Sequence, residues 1–356
     1  SLSLTASAAE PTNASEVNYR KSGKYVYNWG KRDTTATFLT TYAQSYYTGS
    51  YSYATLSALS GSSSTSASAF YSSPLGSAIH NMLYAKQTST TSYNGTKDLY
   101  QYTDCEQSGT KISSYYSAVA IGPGWGEGGS WNREHTWPNS KGLNGADEND
   151  IMMLRPTATS ENSSRGNTAY GESYYDPNGN GQSLHGDVAR LMLQHLMRWG
   201  NTDSFYGASG VMESRDILLK WLEEDPVDTG EMGRNDAVQS ITGVRNVFVD
   251  YPELAFKLLG ADVPANYPTP SGGSTVSYTI TATSNNTSYG TVSVSGSTIT
   301  AAPKNGYAAT GYTVVSGTAT VAQNGNVFTV TASSDCTVRI IFTKIATYTV
   351  SFSVPS

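Results

Sequence analysis

Charge is scarce in this chain of 356 residues: Asp, Glu, Lys and Arg together make 14% of it, against about 25% in ordinary soluble domains. Cysteine is scarcer, with only Cys105 and Cys336, which excludes a disulfide framework and any thiolate metal site of the usual spacing. The two fall in segments of different expected domains, which argues against a bridge between them. No apolar run approaches the roughly 18 residues that a membrane span needs. The sequence opens "SLSLTASAAEP" with neither an initiator Met nor a signal-peptide core, so it reads as a processed or trimmed secreted chain. A net charge of −6 excludes a global positive field that would coat nucleic acid, though not a local basic patch. What the chain has instead is Ser, Thr, Gly, Asn and 26 Tyr, the bias of secreted bacterial proteins.

Residues 1–35 are polar and weakly patterned and read as a partly ordered leader. From Ala36 to Leu83, clusters such as "FLTTYAQSYY" and "SAIHNMLYA" recur at helical spacing. In "HGDVARLMLQHLMRWG", Val188, Leu191, Met192, His195, Leu196 and Trp199 predict a helix with one buried face, stopped by Gly200. "SRDILLKWLEEDP" predicts another, with Ser214 as N-cap and an end before Pro226. Pro, Ser and Gly then displace periodicity in "VPANYPTPSGGS", the mark of a linker, taken as 265–274. Beyond it, alternating segments and the pair Asn324-Gly325 predict a small antiparallel β module over 275–345. Its opening "SYTITATS" recurs about 70 residues later as "TYTVSFSV", so 346–356 read as the start of a second repeat.

The charge that exists is gathered in "NREHTWPNSKGL", where Arg133, Glu134, His135 and Lys141 lie close together. An imidazole suits proton abstraction near neutral pH and a carboxylate suits a hard cation, so the pair suggests metal-assisted hydrolysis. Alone, "REH" reads as readily as a strand-end ion pair between Arg133 and Glu134 beside a packed His. The continuation "DIMMLRPTATSENSSRGN" shifts the balance. Asp150–Arg155 can form a strand, Pro156 can break it, and Thr157 can cap a helix that carries Asn162 and Arg165 on one face. Strand, loop, strand, helix is the result. Because neighbours in a strand point to opposite faces, Glu134 and His135 can serve one ion only from a bulge or a strand end, and Pro138 favours an early end.

With "NREHTWPNS", "LRPT", "NSSRGN", "GDVARLML", "RWGN", "WLEEDPVD", "RNDAVQSITGVRN" and "FVDYPE" in this order, the chain resembles the bacterial endonuclease I family over roughly Ala36 to Gly260. These are secreted or periplasmic nucleases with the ββα-metal, or His-Me finger, motif. The resemblance implies an α+β fold, here a catalytic domain over 36–264 with surrounding helices. It implies His135 as general base, with Glu134 and Asn162 holding Mg²⁺ or another divalent ion such as Ca²⁺ or Mn²⁺. Its substrate would be DNA or RNA, gripped through the phosphate backbone and cut to 5′-phosphate and 3′-hydroxyl ends. A monomer that is secreted or at the cell surface would follow.

The chain also departs from that pattern. "DIMM" stands where relatives carry "DLHH" or "DMHN", so Met152 and Met153 are either packing positions or a loss of activity. No Arg lies between His135 and Asp150. Lys141, Arg155 and Arg165 are candidates to stabilise phosphate in its place, Arg165 as the catalytic one, with Arg133 a further substrate-binding cation. "DPNGNGQSLHGD" matches much of a Ca²⁺ loop through Asp176, Asn178, Asn180 and Asp187, although the short final Asp187 makes a tight turn the plainer reading. "GPGWGEGG" lacks the Lys and Ser/Thr of a phosphate cradle and reads as a flexible loop, while His80, His185 and His195 read as satisfied core histidines. The rival to a nuclease is a catalytically decayed core serving as a surface binding or adhesion protein. A third reading is a phosphodiesterase for small nucleotides.

Overall fold

A computed structural model describes residues 41–105, 111–178 apart from 123 and 126–128, 184–265, 267, 279–346 apart from 296 and 333, and a short hairpin of strands β1 (Arg20–Lys21) and β2 (Lys24–Tyr25). Most of the expected leader and linker, Asn180, and 347–356 of the expected second repeat lie outside these residues. The chain divides into two compact units, Ser1–Thr275 and Val276–Ser356.

In the first unit a layer of helices surrounds small antiparallel sheets. The helices of its N-terminal half are α1 (Thr41–Tyr46), α2 (Tyr53–Ser57), α3 (Ala67–Tyr71), α4 (Pro74–Lys86) and α5 (Tyr93–Thr103). Side-chain caps start several of them: Ser73 Oγ accepts from Gly76 N and Ser92 Oγ from Gly95 N. Strands β3 (Ile112–Ser113) and β4 (Ala120–Ile121) pair with each other, as do β5 (Trp131–His135) and β6 (Leu154–Ala158). Helix α6 (Thr159–Arg165) follows directly and packs on β5 and β6. The strand, loop, strand, helix order is therefore present, with shifted bounds. Strand β6 starts at Leu154 and runs through Pro156, and Ala158, not Thr157, holds the N-cap position. Pro156 is tolerated because its carbonyl still accepts from Tyr115 N at 2.9 Å, in a ribbon of only two strands. Residues 151–153 form a turn instead of extending the strand, and the Asp150 carboxylate is taken by Met152 N, Arg198 and Trp199.

Helix α7 (His185–Trp199) is the centre of the unit, against which α4 and α8 (Arg215–Glu224) pack. The expectation of one buried face is corrected: every residue from His185 to Arg198 is buried. Its two arginines are held by partners, whereas the Gln194 and His195 side chains have no hydrogen-bond partner among the described residues. Arg190 makes a two-pronged bond to Glu231 at 2.8 and 2.6 Å, and Arg198 reaches Asp150 at 3.1 Å. Gly200 ends the helix at φ 79°, as expected, and Ser214 caps α8 through Ile217 N at 3.2 Å. Helices α9 (Thr229–Thr242), α10 (Val247–Asp250) and α11 (Glu253–Leu258) complete the layer. An Asp228–Glu231 capping box opens α9.

The second unit has its own core of Ile299, Phe328, Val330, Val338, Ile340 and Phe342. Strands β7 (Ile280–Ser284), β10 (Tyr307–Ser316) and β13 (Cys336–Lys344) form one sheet in the order β10-β13-β7. Strands β8 (Gly290–Ser295), β9 (Thr298–Pro303), β11 (Ala319–Asn324) and β12 (Val327–Ala332) form the other, ordered β11-β12-β9-β8. The expected all-antiparallel module is corrected in one pair, since β13 and β7 run parallel. Asn324 pairs with Val327, so Gly325 at φ 59° takes the first loop position, where a primed turn needs a positive angle. Cys105 and Cys336 are both buried, and they lie in different units.

Candidate active site

Strand β5 presents its charged residues alternately. Glu134 pairs across the ladder with Arg155 and His135 with Leu154, with no break in register, so the carboxylate and the imidazole leave the strand on opposite sides. A strand end is what the site has: β5 stops at His135.

Glu134 is 2% exposed. Its Oε1 accepts the Tyr116 hydroxyl at 2.8 Å and lies 3.3 Å from Arg165 Nη1, while Oε2 has no partner among the described residues. Burial pushes its carboxyl up to about 7, against the opposing pull of Arg165 and the Tyr116 hydrogen bond. Around this pair stand tyrosines: Tyr116 and Tyr170 share a 2.7 Å hydroxyl contact, and Arg165 lies 4.5 Å over the Tyr170 ring. The alternative of an Arg133–Glu134 ion pair is not seen; the partner is Arg165, brought in by α6.

His135 is half-buried, and its Nε2 lies 2.9 Å from the carbonyl oxygen of Glu148. A carbonyl can only accept, so Nε2 carries the proton and Nδ1 keeps its lone pair. The ring stacks on Tyr93, with centroids 5.6 Å apart and planes 15° apart. Burial lowers its pKa below the usual imidazole range, which keeps it neutral and able to take a proton.

Asn162 sits on α6 one turn before Arg165, the residue that reaches Glu134. It is half-buried, and its amide makes no hydrogen bond among the described residues. Among those residues no group of three or more His, Cys, Asp or Glu is placed to hold a metal. What the unit offers is two hard oxygen donors, Glu134 Oε2 and the Asn162 amide oxygen, a set that suits Mg²⁺ because that ion keeps much of its own water.

The four cations expected at phosphate are all buried, each held by groups of the protein itself. Arg165, 1% exposed, donates to the carbonyls of His135 at 3.1 Å and Thr136 at 2.8 Å, so it fastens the end of β5. Lys141 donates to the carbonyl of Gly210. Arg155 lies 4.7 Å over Tyr115 and 3.5 Å from Asp104. Arg133 donates to Tyr93 O at 2.6 Å, with its guanidinium over the rings of Tyr93 and Trp125.

Of the expected Ca²⁺ loop, residues 179–183 lie outside the described residues. Asp176 Oδ1 accepts from Asn178 N, and Asn178 Oδ1 accepts from Leu184 N, as in a tight turn. The Asp176 side chain is 50% exposed while that of Asp187 is 2% exposed and faces Arg190. Met152 and Met153 pack in the hydrophobic core. His80 is satisfied by Met197 O at 2.8 Å. His185 lies between Glu224 and Asp176. His195 is in the core but not satisfied, since neither ring nitrogen has a hydrogen-bond partner. Of the glycine-rich stretch, Trp125 packs edge-on against Trp131, and 123 and 126–128 lie outside the described residues.

Sequence reasoning missed Tyr93, Tyr116, Tyr170 and the Glu148 carbonyl. With 26 tyrosines in the chain, nothing marks out the three that meet Glu134, Arg165 and His135.

The two strands β5 and β6 and the helix α6 carry a buried Glu134, a His135 oriented by a carbonyl and a helix-borne Asn162. The chain is a member of the endonuclease I family, whose model matches residues 72–183 and 176–253, just over half of the sequence. It is 35% identical over 156 residues to an extracellular ribonuclease of Bacillus amyloliquefaciens and 33% identical over 156 residues to an extracellular ribonuclease of Bacillus subtilis (strain 168). Each match covers 36% of this chain and 54% of the relative, so the chain spans about half the length of the curated relatives it matches. No solved structure matches it. Among the described residues no helix is long and apolar enough to cross a membrane.

Proposed function

We propose that the first unit is a secreted, metal-dependent endonuclease that hydrolyses phosphodiester bonds of RNA or DNA. One observation carries the reading: His135 is oriented by the Glu148 carbonyl so that Nδ1 is a free base, on the last residue of β5, which follows Glu134. His135 takes the proton of a water that attacks phosphorus. Glu134 and Asn162 would hold the divalent ion, which would supply stabilisation of charge on the phosphate and on the departing 3′-oxygen. Arg165 and Tyr116 hold Glu134 in place, and Tyr93 holds the His135 ring. Water as nucleophile leaves 5′-phosphate and 3′-hydroxyl ends and needs no ribose hydroxyl. Secretion is supported by the extracellular relatives and by the composition, and a His-Me finger architecture by the β5-β6-α6 order. The chain acts as a monomer.

The test is incubation with RNA and with plasmid DNA in Mg²⁺, Mn²⁺ and Ca²⁺, with and without chelator. Cleavage by the wild type that chelator abolishes, with 5′-phosphate ends, is the expected result. Cleavage that survives chelation, or a wild type inert with every ion, rejects it.

A further inference from the structure

A cavity of about 470 Å³ is lined by Ser89, Thr90, Thr91 and Ser92 on one side and by Asp98, Leu99, Gln101 and Tyr102 of α5 on another, with Ile241 among its apolar contacts. Its volume falls in the range of small-molecule sites, roughly 300–1,000 Å³. Two tethers fix it to the candidate catalytic centre. Thr91 Oγ1 donates to Asn149 O at 2.5 Å, and Glu148, the residue before Asn149, supplies the carbonyl that orients His135. Tyr93, next to the lining residue Ser92, stacks on the His135 ring.

The lining has hydroxyls, an amide, a carboxylate and apolar surface, but no Lys or Arg. Asp98 would repel phosphate, whereas an uncharged ring with polar edges fits: Tyr102 and Leu99 offer faces, and Gln101 and the hydroxyls offer hydrogen bonds. The Gln101 amide donates to Asp98 O at 2.9 Å, which leaves its oxygen turned to other partners.

We propose that this cavity is a nucleoside subsite, which takes the base and sugar of a nucleotide flanking the phosphate at His135. The inference rests on the nuclease reading above, and it assigns to the enzyme a grip on the uncharged part of the strand. That grip compensates for the inward turn of Arg133, Lys141, Arg155 and Arg165.

Two measurements test it on the full chain. In the first, KM and kcat are read for a single-stranded hexanucleotide and for bis-nitrophenyl phosphate, which has no base. Tyr102→Ala and Gln101→Ala should each raise KM for the hexanucleotide, Tyr102→Ala by about tenfold from lost stacking, with kcat and bis-nitrophenyl phosphate hydrolysis unchanged. A hexanucleotide KM that neither variant moves overturns the subsite, as does an equal loss on both substrates. The second measurement is saturation-transfer NMR with adenosine, with inorganic phosphate binding followed by phosphorus NMR. Transfer to adenosine protons that Tyr102→Ala abolishes, without phosphate competition, supports the subsite even in a chain inert toward every phosphodiester, where only the nuclease reading fails. No transfer from the wild type overturns the subsite.

Discussion

At the scale of single residues, the site divides between groups that would do chemistry and groups that hold them. His135 belongs to the first kind. It is half-buried, and its partners are a carbonyl and a ring face, so its removal leaves no buried charge behind. His135→Ala should lower cleavage by at least about a hundredfold while the thermal midpoint stays within a few degrees, read by a nicking assay and by calorimetry on the same sample. Arg165 belongs to the second kind. Removing it strips the ion pair from a carboxylate that is 2% exposed and frees the carbonyls of His135 and Thr136. Arg165→Ala should therefore cost about 3 kcal/mol of folding stability, measured by urea denaturation, along with activity. Loss of activity with unchanged stability would show that Arg165 touches substrate instead. The division explains what was legible. Glu134, His135 and Asn162 stand out as chemical types in a chain poor in charge, but burial is a property of the fold. Nothing in "NREHTWPNSKGL" says that Arg133 and Lys141 face inward, because their partners Tyr93 and Gly210 are far away in sequence.

At the scale of elements, periodicity located the helices and missed the environment of the central one. The spacing in "HGDVARLMLQHLMRWG" marks one apolar face correctly, yet α7 is buried from His185 to Arg198, its two arginines paired with residues from elsewhere in the unit. Partners for Arg190 and Arg198 come from α9 and from the turn at Asp150, which no local pattern can announce. Close packing has a direct consequence at Gly186. A Cβ there would lie 1.9 Å from Asp225 O, so Gly186→Ala should force α7 and α8 apart and lower stability by about 2 kcal/mol or more, seen as a drop in the urea midpoint without a change in slope. His195, on the same helix, gives a pH dependence. Burial lowers its pKa from 6.5 to about 4, with Asp150 and Asp147 opposing and Arg198 and His135 reinforcing. The unfolded chain thus binds a proton that the folded chain refuses between these values. Stability should be unaffected above pH 6.5 and fall as pH drops toward 4, by roughly 2 kcal/mol at pH 5. His195→Phe, which keeps the ring beside Trp137, should flatten that part of the stability curve, and an unchanged slope would assign the loss to other groups.

At the scale of the whole molecule, the family's motif series reads mostly as architecture. "RNDAVQSITGVRN" supplies Arg234 to Asp104 at 2.9 Å and Arg245 to Asp236 and Asp250 at 2.5 and 2.8 Å, a buried ionic framework that touches neither Glu134 nor His135. Such a series identifies the fold far better than it locates a site. The second unit contributes nothing to that framework, because its core of Ile299, Phe328, Val338 and Phe342 shares no residue with the core of the first. Two cores with no common members are expected to melt as two transitions. Calorimetry of the full chain should therefore resolve two unfolding events. A chain ending at Thr275 should keep the one that Gly186→Ala shifts to lower temperature, together with the cleavage rate of the full chain on a short oligonucleotide, where a flanking module has little to hold. Were the truncated chain to lose both its transition and its activity, the two units would be one cooperative body, and the β module would have to be counted as part of the enzyme.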